Sequence, residues 1–148
     1  MPNFRWLLAL VTRIHRAIYR LSAGRIGGRL SGMPMLLLTT RGRRSGRERT
    51  LPLLYVADEK GWVVVASNAG DDRHPAWWLN LRARAEARVQ VGRERSVVRG
   101  RRATPEEEAR LWPRLVAAYG PYARYRERAR REIPVVILER VASTEGGR

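Results

Sequence analysis

Past position 30 the apolar residues of this chain come in short, nearly unbroken runs, and that pattern leaves few folds open. Leu36-Leu37-Leu38 and Val63-Val64-Val65-Ala66 carry no polar residue at alternate positions. A strand with one wet face alternates with period two, so runs of this length read as strands covered on both faces. Six strands are expected, at 35–41, 50–57, 62–67, 87–91, 96–102 and 134–139. Asp58-Glu59-Lys60-Gly61 turns the second into the third, and Gly92 turns the fourth, where Ala87, Val89 and Val91 alternate with Arg88 and Gln90, into the fifth.

Helical spacing is confined to three places. Phe4, Leu7, Leu8, Val11, Ile14, Ile18 and Leu21 mark an amphipathic helix over 4–22, with Arg5, Arg13, Arg16 and Arg20 elsewhere around the wheel. Such a stripe packs on its own domain or lies peripherally on an anionic bilayer. A short helix is expected over 75–81, with Pro75 at its first position. A longer one starts at Thr104-Pro105-Glu106-Glu107, where Thr104 caps and Glu107 closes a capping box, and runs to about Tyr119 before Gly120-Pro121. Six strands with few helices make a mainly β, α+β barrel, not a layered nucleotide fold. Residues 1–30 form the helix and its linker, 31–141 the barrel and 142–148 a polar tail.

The first two strands flank a bend with glycines at Gly42 and Gly46 and arginines at Arg41, Arg43, Arg44, Arg47 and Arg49. Glycines let main-chain N–H groups approach a ligand, and guanidinium forks match phosphate geometry. The bend is either a phosphate cradle or a solvated hairpin tip. Composition narrows the rest. There is no cysteine, and His15 and His74 are the only imidazoles, so no metal ligand set is recognised. The net charge of +16 rests on 29 arginines and one lysine scattered along the chain. That charge suits anionic cofactors, membrane surfaces or nucleic acid, but no nucleic-acid-binding signature is present. No stretch is long enough for a transmembrane helix and no convincing leader is seen, so a cytoplasmic protein is expected.

Beyond the bend, Ser67-Asn68 ends the third strand and leads through Asp71-Asp72-Arg73-His74 to Pro75-Ala76-Trp77-Trp78-Leu79-Asn80-Leu81. Helical spacing puts Trp77, Asn80 and Leu81 on one face, which suits a planar heteroaromatic ring or a core filler with a capping amide. Tyr119, Tyr122 and Tyr125 recur every third residue and either line an aromatic pocket or pack a surface. With no nucleophile elbow, Walker loop or acid pair, an enzyme of this composition borrows its chemistry from a cofactor.

These residues, taken in order, resemble the deazaflavin-dependent nitroreductase family. The carrying segments are Leu37 to Gly46 with Pro52-Leu53, Ala66 to Gly70, Pro75 to Leu81, the tyrosine series, and Arg131-Glu132-Ile133-Pro134-Val135. The resemblance implies an FMN-binding split-barrel-like fold and coenzyme F420, an 8-hydroxy-5-deazaflavin with a phosphodiester and polyglutamate tail. FMN is the runner-up cofactor. It places Arg44, Ser45, Gly46 and Arg49 on the phosphate, and Ser67, Asn68, Pro75, Ala76, Trp77, Asn80 and Leu81 around the ring and its linker. Tyr119, Tyr122, Tyr125 and Leu54 fall on the substrate side, with Tyr122 the expected proton donor and Ser67 a second catalytic contact. The implied substrate is a quinone or nitroaromatic. Asn68 stands where some members carry lysine, and Leu54 where a nitroimidazole-activating relative carries tyrosine. Small barrels of this type often form homodimers, though the residues name no interface.

Overall fold

The computed structural model describes residues 29–30 and 33–141. The expected helix over 4–22 and the tail after 141 lie outside them. The elements are β1 (Arg29–Leu30), β2 (Met33–Arg41), β3 (Glu48–Leu54), β4 (Val56–Asp58), β5 (Gly61–Val65), a 3₁₀ turn (Asn68–Gly70), α1 (Ala76–Ala83), β6 (Glu86–Val91), β7 (Glu94–Arg102), α2 (Pro105–Ala118), α3 (Pro121–Arg128) and β8 (Val135–Arg140).

All pairings are antiparallel, in the order β3-β2-β6-β7-β8-β5-β4, with β1 adding a two-residue ladder at the start of β2. The terminal strands β3 and β4 sit at opposite ends of this order, yet only Tyr55 separates them in the chain. The sheet must therefore curl until its ends meet. The Tyr55 N–H donates to the Pro34 carbonyl at 3.4 Å across that corner. The result is a curled half-barrel of seven strands, one more than the expected six, because 50–57 is two strands bent at Tyr55.

The curl makes two apolar layers. Inside it lie Leu36, Leu38, Trp62, Val64, Ala66, Trp77, Trp78, Leu81, Val89, Val98, Val136 and Leu138. On the outer face of β5 and β8, Val63, Val65, Val135 and Ile137 pack under Leu111 and Leu115 of α2 and Tyr122 of α3. Alternate residues of β5 and β8 thus enter different cores, which is why neither strand alternates in sequence.

Helix α2 begins as expected. Thr104 Oγ1 accepts from Glu107 N at 3.2 Å, and Glu107 Oε1 accepts from Thr104 N at 2.9 Å. The same carboxylate takes a bidentate pair from Arg101 at 2.7 and 2.9 Å, and Arg101 also donates to Glu139 at 3.0 Å. The Arg101 bonds hold the Glu107 carboxyl well below the ordinary range. This pins the start of α2 to β7 and β8. Among the described residues no helix is long and apolar enough to cross a membrane.

Candidate functional site

A cleft of about 1380 Å³ opens between the β2–β3 bend, the turn after β5 and the first half of α1. It is larger than the usual small-molecule pocket and open along one side, as a long ligand requires. Register aims its residues. Leu36 and Leu38 point into the curl, and Thr40, two further along β2, reaches the cleft beside its ladder partner Arg49. A one-residue slip would turn Arg49 to the outer face.

The bend itself is tightly specified. Gly42 N donates to Arg47 O at 2.7 Å, Gly46 N to Gly42 O at 2.8 Å, and Arg41 Nη1 to Gly46 O at 2.8 Å. Gly46 sits at φ +71°, in the left-handed region where a side chain is strained. Ser45 Oγ accepts from Arg47 N at 3.1 Å. Arg43, Arg44 and Arg49 line the cleft. None of the three pairs with an acid among the described residues, whereas Arg88, Arg101, Arg102, Arg110 and Arg126 all do. Uncompensated guanidinium groups on a concave wall are the mark of an anion site.

Asn80 holds this bend to α1. Its Nδ2 donates to Thr40 Oγ1 at 3.2 Å and its Oδ1 accepts from Arg43 N at 3.1 Å. The amide lines the cleft but is committed to the loop, so it positions the bend where a ring contact was expected. Leu81 leaves the expected site altogether. It is buried against Gly100, where a Cβ would meet Leu81 Cδ1 at 2.8 Å. Gly46 shapes the turn without lining the cleft.

The opposite wall begins at Ser67. Asn68 and Ala69 have φ of +45° and +53°, and Gly70 follows at +80°. Left-handed conformations at two non-glycine residues are costly and persist only where their surroundings impose them. Ser67, Asn68, Pro75, Ala76 and Trp77 all line the cleft, and Arg73 and His74 join them. Burial, reinforced by Arg131, Arg82 and Arg102, pushes the His74 pKa down and favours the neutral ring. Leu51, Leu53 and Val65 supply the apolar floor.

The tyrosines sit elsewhere. Tyr119 and Tyr122 line a separate cavity of about 10 Å³ with Leu54 and Tyr55. Tyr122 is buried away from the cleft lining, where the expected proton donor would have to stand, and burial raises its phenol pKa. Tyr119 and Tyr125 share a hydroxyl hydrogen bond at 3.1 Å, and the Tyr119 and Tyr122 rings meet edge to face at 4.9 Å. Adjacent residues Leu53 and Leu54 face the two different cavities, so one strand separates the cleft from the tyrosine cluster.

Sequence reasoning missed Thr40, Leu51 and Leu53, which alternation from Leu36 and Leu38 and the hairpin pairing could have assigned inward. It also missed His74 and, behind the cleft, Arg131, whose acceptors lie up to 65 residues away in the chain.

Fold and cleft together define a mainly β, curled half-barrel protein whose cleft sets arginines without acid partners against a half-apolar wall. The sequence model of F420H(2)-dependent quinone reductases matches residues 11–140. An F420H(2)-dependent quinone reductase of Mycobacterium tuberculosis is 40% identical, over 95% of this chain and 99% of its own length. A solved F420-H2 dependent reductase superposes with a TM-score of 0.66 at 38% identity, covering 72% of this chain and 94% of its own. A solved domain-swapped dimer superposes at 0.68 with 34% identity, covering 85% and 96%. The chain belongs to the F420H(2)-dependent quinone reductase family.

Proposed function

We propose that this chain transfers a hydride from reduced coenzyme F420 to a quinone within the described cleft, with the arginine bend holding the cofactor's phosphodiester. The observation that carries the reading is the meeting of two unlike walls in one cleft. One presents Arg43, Arg44 and Arg49 without acid partners; the other presents Trp77, Pro75 and the strained turn at Ser67–Asn68. FMN, weighed beside F420 on sequence grounds, loses its standing to the family assignment.

When bound, the reduced deazaflavin supplies a hydride at ring C5. The protein's part is placement. Arg44, Arg49 and Ser45 hold the anionic arm through charge-assisted hydrogen bonds. Ser67, Asn68, Pro75, Ala76 and Trp77 hold the ring and its linker, while Asn80 keeps the bend in register with α1. Leu51, Leu53 and Val65 exclude water from the reacting face, which strengthens every electrostatic contact there. Ser67 stands at the mouth as the polar contact to the reacting pair. Tyr119, Tyr122, Tyr125 and Leu54 lie behind β3, so their part is to support the strand that carries Leu51 and Leu53 and not to touch the acceptor. Transfer of this kind needs donor and acceptor atoms held about 3–3.5 Å apart, a positioning task more than an acid–base one.

The test is anaerobic. Reduced F420 is mixed with the protein and a naphthoquinone or a nitroarene, and reappearance of the oxidised deazaflavin absorbance is followed. Quinone-dependent reoxidation well above the enzyme-free rate is expected. Reoxidation no faster than the enzyme-free rate, or equal turnover with reduced FMN, would overturn the reading.

A further inference from the structure

We propose that Arg131, outside the cleft lining, is the positioning residue that turns the main-chain N–H groups of Ser67 and Asn68 toward the cofactor; this rests on the function proposed above. A guanidinium carries five N–H donors and no acceptor. Arg131 meets five acceptors. Nε donates to Asp71 O at 3.0 Å, Nη1 to Glu132 O at 3.0 Å and His74 Nδ1 at 3.2 Å, and Nη2 to Ala66 O at 3.2 Å and Ser67 O at 3.0 Å. Because a guanidinium only donates, His74 Nδ1 is the acceptor, and the neutral ring keeps its proton on Nε2.

The consequence follows from peptide planarity. In a trans peptide the carbonyl of one residue and the N–H of the next point in opposite directions. Drawing the Ala66 and Ser67 carbonyls onto Arg131 therefore turns the N–H groups of Ser67 and Asn68 the other way, on residues that line the cleft. Among the described residues neither N–H donates to a protein acceptor, while the neighbouring Ala66, Gly70 and Asp71 N–H groups all do. Two free main-chain donors beside a left-handed turn form a concavity for an oxygen of the ligand.

The turn is gripped from the same side at two more points. Arg128 Nη2 donates to Ala69 O at 2.6 Å, and Arg130 N donates to Asp72 Oδ1 at 2.9 Å. The strained φ values at Asn68 and Ala69 are thus held by the end of α3 and the segment that runs on to β8. Arg131, with every donor spent, is the centre of that grip.

Arg131→Met and Arg131→Lys are compared with Arg130→Met, whose main-chain bond to Asp72 survives the substitution. Fluorescence titration with F420 is expected to show affinity about tenfold weaker for Arg131→Met, partial loss for Arg131→Lys, and a change within about twofold for Arg130→Met. In steady state KM for F420 rises while kcat at saturation stays within about threefold. In Arg131→Ala, which vacates the whole side chain, millimolar methylguanidinium is expected to restore affinity, and it leaves the wild type unchanged. In the cofactor-free protein, hydrogen exchange at the Gly70 and Asp71 amides, which close the turn onto Ser67 O and Asn68 O, is expected to speed up in Arg131→Met. Wild-type affinity in Arg131→Met with unchanged exchange overturns the proposal. A wild type that binds no F420 overturns the functional reading instead, and the exchange result then still decides whether Arg131 shapes the turn.

Discussion

The arginine bend can be tested against itself, because its residues differ in direction but hardly in position. Arg44 and Arg49 line the cleft, while Arg47, two residues from Arg49, does not. Replacing Arg44 or Arg49 by alanine removes a charge-assisted contact to an anionic arm, at a cost of about 1.5–3 kcal/mol. That is an increase in Kd of roughly 10- to 150-fold. Arg47→Ala leaves every contact in the cleft intact and removes only a distant charge. At about 10 Å in water, one unit charge acting on another is worth about 0.4 kcal/mol, near twofold in Kd, and salt screens most of it. None of the three arginines has an acid partner among the described residues, so no released carboxylate complicates the comparison. The assay is a fluorescence titration with F420 at two ionic strengths, with thermal unfolding as a check on the bend. Equal losses for Arg47→Ala and Arg49→Ala, both vanishing at high salt, would mean diffuse attraction by a basic surface and would refute a built arm site.

Three further expectations concern residues around the cleft. Asn80→Ala strips Thr40 and the Arg43 N–H of their buried partner, so it should lower stability by about 1–3 kcal/mol in urea unfolding and also weaken F420 binding; binding unchanged despite lost stability would free the amide from its positioning role. Tyr122→Phe should keep turnover within about twofold, whereas Tyr122→Ala should destabilise the outer layer by about 3–5 kcal/mol; a large loss of kcat in the phenylalanine variant alone would return the proton-donor role to the phenol. His74 has its pKa lowered in the fold, so below its ordinary value of about 6.5 the unfolded chain binds a proton that the native protein resists, and stability falls as pH drops. His74→Gln should flatten that slope in urea midpoints taken between about pH 5.5 and 7.5; an identical slope would show that other groups cause it.

Much of the barrel was legible because it depends on local pattern. The double-faced burial of β5 follows from the Val63–Ala66 run, and the cap of α2 from Thr104 and Glu107, as the hydrogen bonds bear out. The corner at Tyr55 was not legible, since no glycine or proline marks it and the break arises only when the sheet closes on itself. Leu81 and Asn80 show a second limit. Helical spacing gave them a common face with Trp77, but whether that face meets a ligand, the core or a neighbouring loop depends on the rotation of α1 against β7. Spacing also made the tyrosines neighbours without saying which side of β3 they occupy. Arg131 sits in a motif that names no role for it, because its acceptors lie up to 65 residues away.

The pairing of β8 with β5, together with the bond from Ala66 N to Pro134 O, brings the far end of the barrel onto the strand that leads into the cleft. The whole cleft lining is encoded between Thr40 and Asn80, yet the turn on its far wall takes its shape from residues about 60 positions later. During synthesis, the early two-thirds of the chain would emerge with its arginines in place and that turn still slack. The last part of the grip on the coenzyme would arrive only when the final strand zips into the sheet.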